Sequence, residues 1–345
     1  MTTGDLGSRS LTLIILEGSF LVVLNILSLL GNVLVCLSVY RNQRLRTSTN
    51  LYIIALAVSD LLSAVLVMPL GEIVLFSGKW PFGKTICQLH AFISLFVIYV
   101  SPATMSLTAV NRYFRICRSS ISYQKIFSHR KSRVWLALVW FFVACYIAIP
   151  RLANWQGFEF VPGYAQCSIK HLGERAKIVH YSFVLTVFLA IPLLATTFCY
   201  TKVLKTIRQH NMAFNIRMSA PQISVHEIKL SKSLFIVVFT FMSCWLPLWV
   251  IVLLKRFFIT THIPRSVELL CMFFLYISNT INPVIYSGMN PAFRGEFHRI
   301  ITCKSSGLVS SQRLQRRNER DGLKREGPRA QPLDEEEGIQ QDSPA

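Results

Sequence analysis

Charge is what this sequence has least of. Asp, Glu, Lys and Arg make up only 15% of its 345 residues, against about 25% in an ordinary water-soluble domain. Hydrophobic residues make up 52% and the mean hydropathy is +0.44, a balance that excludes an ordinary soluble domain. Other absences narrow the field. The nine cysteines and eight histidines show no zinc-type spacing, so no metal-built domain is expected. No Asn-x-Ser/Thr sequon lies in the segments assigned below to the outside, so N-glycosylation is not expected. The chain does not open on a basic stretch, a short apolar region and a small-residue cleavage site, so no cleaved leader is expected and the first apolar run serves for insertion. No internal repeat is apparent, which weighs against a transporter assembled from paired repeats around a midplane site.

What is present in quantity is long apolar runs. LIILEGSFLVVLNILSLLGNVLVCLSV exceeds the roughly 20 residues that cross a hydrocarbon core about 30 Å thick. Windows of that size predict spans at 12–40, 50–76, 86–116, 132–150, 178–206, 228–254 and 265–287. Seven crossings put the termini on opposite sides. Arg41, Arg44 and Arg46 follow the first span; Arg115, Arg118, Lys125, Arg130, Lys131 and Arg133 follow the third; Lys202, Lys205, Arg208, Arg217, Lys229 and Lys232 lie around the fifth-to-sixth connection; and a basic series runs from Arg294 to Arg329. Basic loops stay on the cytoplasmic side, so a plasma-membrane protein with its amino terminus outside and its carboxy terminus inside is expected. The formal charge of +19 sits mostly beside the spans, where anionic lipid attracts each Lys or Arg by about 1 kcal/mol. Membrane lipid, not nucleic acid, is the expected partner of that charge.

The organisation along the chain is simple. Residues 1–11 are too few for a separate ligand-binding domain, so a ligand site is expected inside the bundle, residues 12–287. Within 288–303, Phe293, Phe297, Ile300 and Ile301 recur at spacings of three and four with Arg294 and Arg299 opposite. That pattern predicts a short amphipathic helix on the inner leaflet. Cys303 follows it, a candidate for palmitoylation for which an unmodified thiol stays equally open. Residues 304–345 turn to Ser, Gln, Arg, Gly and Pro and end near the acidic run Asp334 to Glu337, a composition that predicts a disordered tail. The fold class expected is an all-α membrane protein, a seven-transmembrane helix bundle with a short amphipathic eighth helix. Cys36, Cys117, Cys145, Cys199, Cys244 and Cys271 fall in or beside spans and read as small apolar residues.

Polar groups inside spans are costly, so each is a functional candidate. In chain order they are Asn32, Asp60, the triplet Asn111-Arg112-Tyr113, Trp140, Pro192 with Tyr200, Cys244-Trp245-Leu246-Pro247, and Asn282-Pro283-Val284-Ile285-Tyr286. Jointly they resemble the signature residues of rhodopsin-like, class A G-protein-coupled receptors, over roughly residues 20–300. The resemblance implies a receptor rather than an enzyme, a heterotrimeric G protein as partner, arrestin and a receptor kinase as further partners, and a disulfide between Cys87 and Cys167. The different-class alternative is a seven-span transporter or channel.

The resemblance also assigns roles. Asp60 is a buried carboxylate that needs a counter-ion, a proton or several donors. With Ser101, Ser278, Asn279 and Asn282 it looks like the pocket for an allosteric sodium ion that favours the inactive state; a protonated or water-bridged Asp60 is the other reading. Arg112 is the arginine that changes partners on activation, Glu227 its inactive-state partner, and Tyr200 and Tyr286 the tyrosines that engage near it afterwards. The family triplet usually begins with an acid; Asn111 forms no ion pair, so restraint on Arg112 is expected to rest more on Glu227. Pro247 and Pro192 remove backbone hydrogen bonds and give the bundle hinges. Trp245 resembles the switch residue at the ligand floor. Pro102 stands where the family has a branched apolar residue between Pro192 and Phe241.

For the ligand, the amine-anchoring acid of related receptors aligns with Ser94 and the retinal-bearing lysine with Tyr276, so neither a protonated amine nor retinal is expected. GNVLVCLSVYRNQRLR, NRYFRICRSSISYQKIFS and FRGEFHRII are similar to melatonin receptors. Where those carry an Asn just after the proline ending the fourth span, this chain has Pro150-Arg151. Where they carry a Gln shortly after the loop cysteine, it has Lys170-His171. The candidate pocket is Ser94, Ile98, Arg151, Trp249 and Tyr276. Arg151, Lys170, Arg175, Lys177, Lys255, Arg256 and Arg265 outnumber Glu159, Glu174 and Glu268 at the outer rim, which favours a carboxylate or other anion by electrostatic focusing, against a melatonin-like indole or a rim with no ligand role.

Overall fold

The computed structural model describes residues 6–171, 173–215, 225–257 and 263–302. Seven helices are long and apolar enough to cross a membrane: Leu11–Arg41, Ser48–Ser77, Gly83–Cys117, His129–Leu152, Glu174–Gln209, Ile228–Leu254 and Arg265–Met289. They match the seven segments expected from hydrophobicity to within a few residues. The fifth starts earlier than expected, at Glu174, because its first turns are polar and escape an apolar window. An acid in the first turn suits the positive end of the helix dipole. Ser10, Thr47 and Ser128 cap the first, second and fourth spans by accepting from the backbone N–H of Leu13, Asn50 and Lys131, satisfying donors that a helix start leaves open.

The burial pattern is inverted relative to a soluble bundle. On the first span Leu16, Phe20, Val23, Ile26 and Leu30 are exposed while Ser28 and Asn32 are fully buried. Lipid is as apolar as leucine, so helices associate through packing and interhelical hydrogen bonds. Asn32 Nδ2 donates to the Asn279 carbonyl at 3.1 Å and to the Ser28 carbonyl at 2.9 Å. Beside it, Gly31 lies so close to the seventh span that a Cβ there would stand 2.8 Å from Pro283 Cγ. The first and seventh spans are joined at mid-depth by these two residues.

Two helices carry π-helical segments, Ser63–Val67 in the second span and Val184–Ala190 in the fifth. Each lies just ahead of a proline, Pro69 and Pro192. The break expected at Pro192 is therefore a wide turn preceding the ring, and the one at Pro69 had no counterpart in the sequence reading. Pro247 and Pro102 lie inside continuous helices.

Between the fourth and fifth spans the chain forms a hairpin, β1 (Gln156–Val161) antiparallel to β2 (Gln166–His171), with Phe160 opposite Cys167. Cys167 is disulfide-bonded to Cys87 in the third span, as the resemblance implied. This face of the molecule is the hairpin end; the opposite face, where Arg112 lies, is the arginine end.

At the hairpin end the first and seventh spans are clamped by an acid that the rim inventory left out. Glu17 takes Arg265 at 2.7 and 3.1 Å and Arg9 at 2.7 Å. Arg9 also donates to the carbonyls of Leu6 and Leu75, which draws Leu6, 1% exposed, onto the bundle. All three charged side chains are at least nine-tenths buried, so the cluster is fully engaged where partial satisfaction would be costly. Glu17→Gln keeps the shape but removes the charge and one acceptor. It is expected to lower stability by about 2–3 kcal/mol, read as a lower melting temperature of the detergent-purified protein; an unchanged temperature would show that the clamp contributes nothing.

After the seventh span, helix Pro291–Ile301 is the expected amphipathic helix. Phe293 and Phe297 are buried, Phe293 against the Tyr286 ring at 5.8 Å, and Arg294 is exposed. Ile301 is exposed, and Glu296, 1% exposed, lies on the buried side, where it accepts from Asn42 at 3.3 Å. Cys303 and the tail, 304–345, lie outside the described residues.

Candidate functional site

Three groups of polar residues stand at successive depths through the bundle. At the arginine end, Arg112 is fully buried. Its Nη2 donates to Asn111 Oδ1 at 3.5 Å, a long contact. Asn111 does more than leave the family's ion pair unmade. Its Oδ1 accepts from Thr49 of the second span at 3.3 Å and its Nδ2 donates to Tyr123 at 3.4 Å. Tyr123 belongs to a short helix, Ser120–Phe127, in the connection after the third span, with Arg115 over its ring at 5.2 Å. The amide therefore ties the second span and the loop helix to the residue beside Arg112, where an acid would hold the guanidinium itself. Tyr113 packs on Phe114 and Phe198 and carries Arg118 over its ring at 5.4 Å. Sequence reasoning missed Thr49 and Tyr123, although Ser119 was a readable helix cap ahead of Ser-Ile-Ser-Tyr.

Tyr200 and Tyr286 are 2% and 1% exposed, and neither hydroxyl has a hydrogen-bond partner among the described residues. Buried polar groups are normally paired, and these two hydroxyls are among the described buried side-chain atoms that are not. Glu227 lies on helix Val225–Phe257, and its side chain is outside the described residues.

At mid-depth Asp60 accepts from Asn282 Nδ2 at 3.0 Å. Ser59 and Ser101 approach to 3.4 Å, and Ser101 donates to the Val97 carbonyl. Ser278 donates to the Leu275 carbonyl at 2.6 Å and accepts from Trp245 Nε1 at 3.3 Å. The hydroxyl hydrogens are thus spent on helix carbonyls and oxygen lone pairs remain. Asn282 Oδ1 and Asn32 Oδ1 are buried acceptors with no donor among the described residues. The Asp60 carboxylate with the hydroxyl oxygens of Ser101 and Ser278 and the amide oxygens of Asn279 and Asn282 is a hard donor set of the kind a small hard cation takes. The Trp245–Ser278 bond, unseen in the sequence, couples the polar core to the stack above it: Trp245 lies on Phe241 at 4.8 Å and beside Trp249 at 6.4 Å.

Above Trp245, Ser94, Ile98, Met272, Tyr276 and Asn279 help to enclose a void of about 20 Å³, little more than the room for one water. No charged side chain lines it. Two of the expected pocket residues are elsewhere. Trp249 is buried in the aromatic stack without reaching the void, and Arg151, in the last turn of the fourth span, lines a separate cleft of about 490 Å³ with Trp80, Lys84, Gln88, Asn154 and Lys170. That cleft is walled by Cys87 and by hairpin residues Gln156 to Phe160, and it shares no lining residue with the central void. The cation excess at the rim is also smaller than a residue count suggests. Lys170 pairs with Glu159 at 2.6 Å, Lys177 with Glu174 at 3.5 Å and Arg265 with Glu17. The side chains of Lys255 and Arg256 lie outside the described residues.

A family model described as "7 transmembrane receptor (rhodopsin family)" matches residues 31–286. Among similar proteins, the melatonin receptor type 1C of Xenopus laevis is 30% identical over 80% of this chain and 65% of its own length. The melatonin receptor type 1A of Mus musculus is 30% identical over 80% of this chain and 77% of its own. Squid rhodopsin superposes with a TM-score of 0.73 at 24% identity, covering 87% of this chain and 90% of that one.

Proposed function

The chain belongs to the rhodopsin family of seven-transmembrane receptors, and from that premise we propose that it takes a neutral small molecule above Trp245 and passes the signal to a heterotrimeric G protein. The observation that carries the ligand class is the uncharged lining of the central void. An ion there would lose its hydration with no counter-charge in return. Arg151, the cation among the candidate pocket residues, lines another cleft. A neutral indole of the kind the similar receptors are named for suits such a lining better than a carboxylate.

In this reading the hairpin end faces outward at the plasma membrane, which the basic loops of the other end support. Ligand binding above Trp245 favours a second arrangement of the helices, in which the sixth span tilts about Pro247, the Trp245–Ser278 bond is remade, and Arg112 leaves its burial to meet the G protein. Glu227 opposes that step. The short connection between the fifth and sixth spans and the melatonin-like segments favour an inhibitory-type G protein. Asp60, Ser101, Ser278, Asn279 and Asn282 would hold a sodium ion, which supplies the counter-charge that the buried carboxylate lacks and so favours the resting arrangement. Arrestin, a receptor kinase and lipid at Cys303 complete the set of proposed partners and modifications.

The test is guanine-nucleotide exchange in membranes with a promiscuous G protein, scanning melatonin, primary amines and carboxylates on the wild type and on Arg151→Gln. The expected result is a response to a neutral compound whose potency Arg151→Gln changes by less than about twofold, as for a residue that makes no ligand contact. A carboxylate agonist weakened by Arg151→Gln would overturn the reading.

A further inference from the structure

The hairpin delivers an amide to two residues that line the central void. Gln166, the first residue of β2, is 4% exposed. Its Oε1 accepts from Ser94 Oγ at 3.1 Å, and its Nε2 lies 3.6 Å from Met272 Sδ. Ser94 and Met272 both line the void. The backbone on either side is fixed: Cys167 is bonded to Cys87, and Ala165 adopts φ +51°, a left-handed conformation uncommon in a residue with a Cβ. Such a residue persists only where its surroundings over-determine it. Here that turn and the disulfide together direct one polar side chain down between the third and seventh spans.

The amide is well matched at one end and poorly at the other. Its oxygen takes a hydroxyl donor, whereas the acceptor its NH₂ group finds among the described residues is a thioether sulfur, a weak one. An oxygen in place of that sulfur would turn a weak contact into an ordinary hydrogen bond inside a desolvated site. Met272 is the neighbour able to yield, since its side chain is unbranched and adaptable, while Ser94 keeps the amide in register.

We propose that Gln166 is the specificity-determining residue of the bundle site, and that its Nε2 selects a neutral ligand presenting a carbonyl, ether or hydroxyl oxygen beside Met272. The proposal rests on the neutral-ligand reading above and adds the group that recognises the ligand. Ser94 and Met272, the two residues that Gln166 touches, both line the void of about 20 Å³, so a ligand that displaces Met272 brings its oxygen to the amide.

The experiment uses the full-length receptor in detergent and three probes of similar size: N-acetyltryptamine, which has one carbonyl; 3-pentylindole, which has none; and indole-3-butyrate, which is anionic. Affinities are measured by thermal shift on the wild type, Gln166→Ala and Gln166→Met, the last keeping side-chain length in case the cavity left by Ala disturbs the hairpin. The wild type is expected to prefer N-acetyltryptamine to 3-pentylindole by about tenfold, one hydrogen bond's worth. In both variants that margin is expected to fall to within about twofold, with binding of 3-pentylindole retained. An unchanged margin in both variants removes Gln166 from recognition and leaves the neutral-ligand reading standing. A wild type that prefers indole-3-butyrate, or binds none of the probes, counts against both.

Discussion

Arg112→Ala is expected to abolish ligand-driven nucleotide exchange while leaving ligand affinity within a few-fold of the wild type. Arg112 is fully buried at the arginine end, about five helical turns along the third span from Ser94. A permanently charged guanidinium kept from water, with the Asn111 amide at 3.5 Å, is held by polar contacts that it can exchange when the helices move. When the helices rearrange, it supplies a planar five-donor surface that no other side chain reproduces. Truncating an arginine anchor at a protein interface commonly costs 2 kcal/mol or more, a loss of about thirtyfold. Exchange at saturating ligand should fall by at least that factor, with thermal shift by N-acetyltryptamine serving as the control for folding. Retained exchange in a folded, ligand-binding Arg112→Ala protein would remove the residue from the coupling surface.

The second large effect concerns the Cys87–Cys167 bridge. The cysteines are 80 residues apart in sequence, and closing a loop of that length can stabilise a fold by as much as about 4–5 kcal/mol. The hairpin also depends on the bridge for its position, because β2 begins next to Cys167. Cys167→Ser is expected to reduce the yield of folded receptor severely. In whatever protein folds, the advantage of N-acetyltryptamine over 3-pentylindole should disappear, since Gln166 is no longer held over the void. Radioligand or thermal-shift measurements on Cys167→Ser and on Gln166→Met would then agree. A bridge-less receptor that kept full discrimination would show that the hairpin finds its place unaided.

The seven spans were legible because lipid demands runs of apolar residues and the seven-helix bundle supplies little else. The start of the fifth at Glu174 was not, since its first turns are polar. The π-helical segments, at Ser63–Val67 and Val184–Ala190, leave no trace in hydrophobicity, and only the prolines after them hinted at irregularity. The vertical series Asp60, Arg112, Trp245 and Asn282 to Tyr286 was legible as a set, because each is costly in a membrane unless it has work to do. What joins its members was not: Trp245 to Ser278, Asn111 to Thr49 and Tyr123, and Asn32 to Asn279 are contacts between residues distant in sequence, set by packing. The pairing of the rim charges was hidden for a related reason. Counting cations left out Glu17, hidden inside the first span, and could not tell that Arg151 lines a cleft separate from the central void. Gln166 was overlooked because it is unremarkable in sequence; it acquires meaning only from the disulfide and the left-handed turn at Ala165.

The central claim is that these helices form a switch read by a G protein rather than a path for solute. Receptor reconstituted in vesicles with a promiscuous G protein, assayed side by side for guanine-nucleotide exchange and for solute flux, tests it most directly. Exchange that rises with a neutral ligand, vanishes in Arg112→Ala and is accompanied by no flux is the predicted result. Ligand-dependent flux with no exchange under any ligand would contradict it.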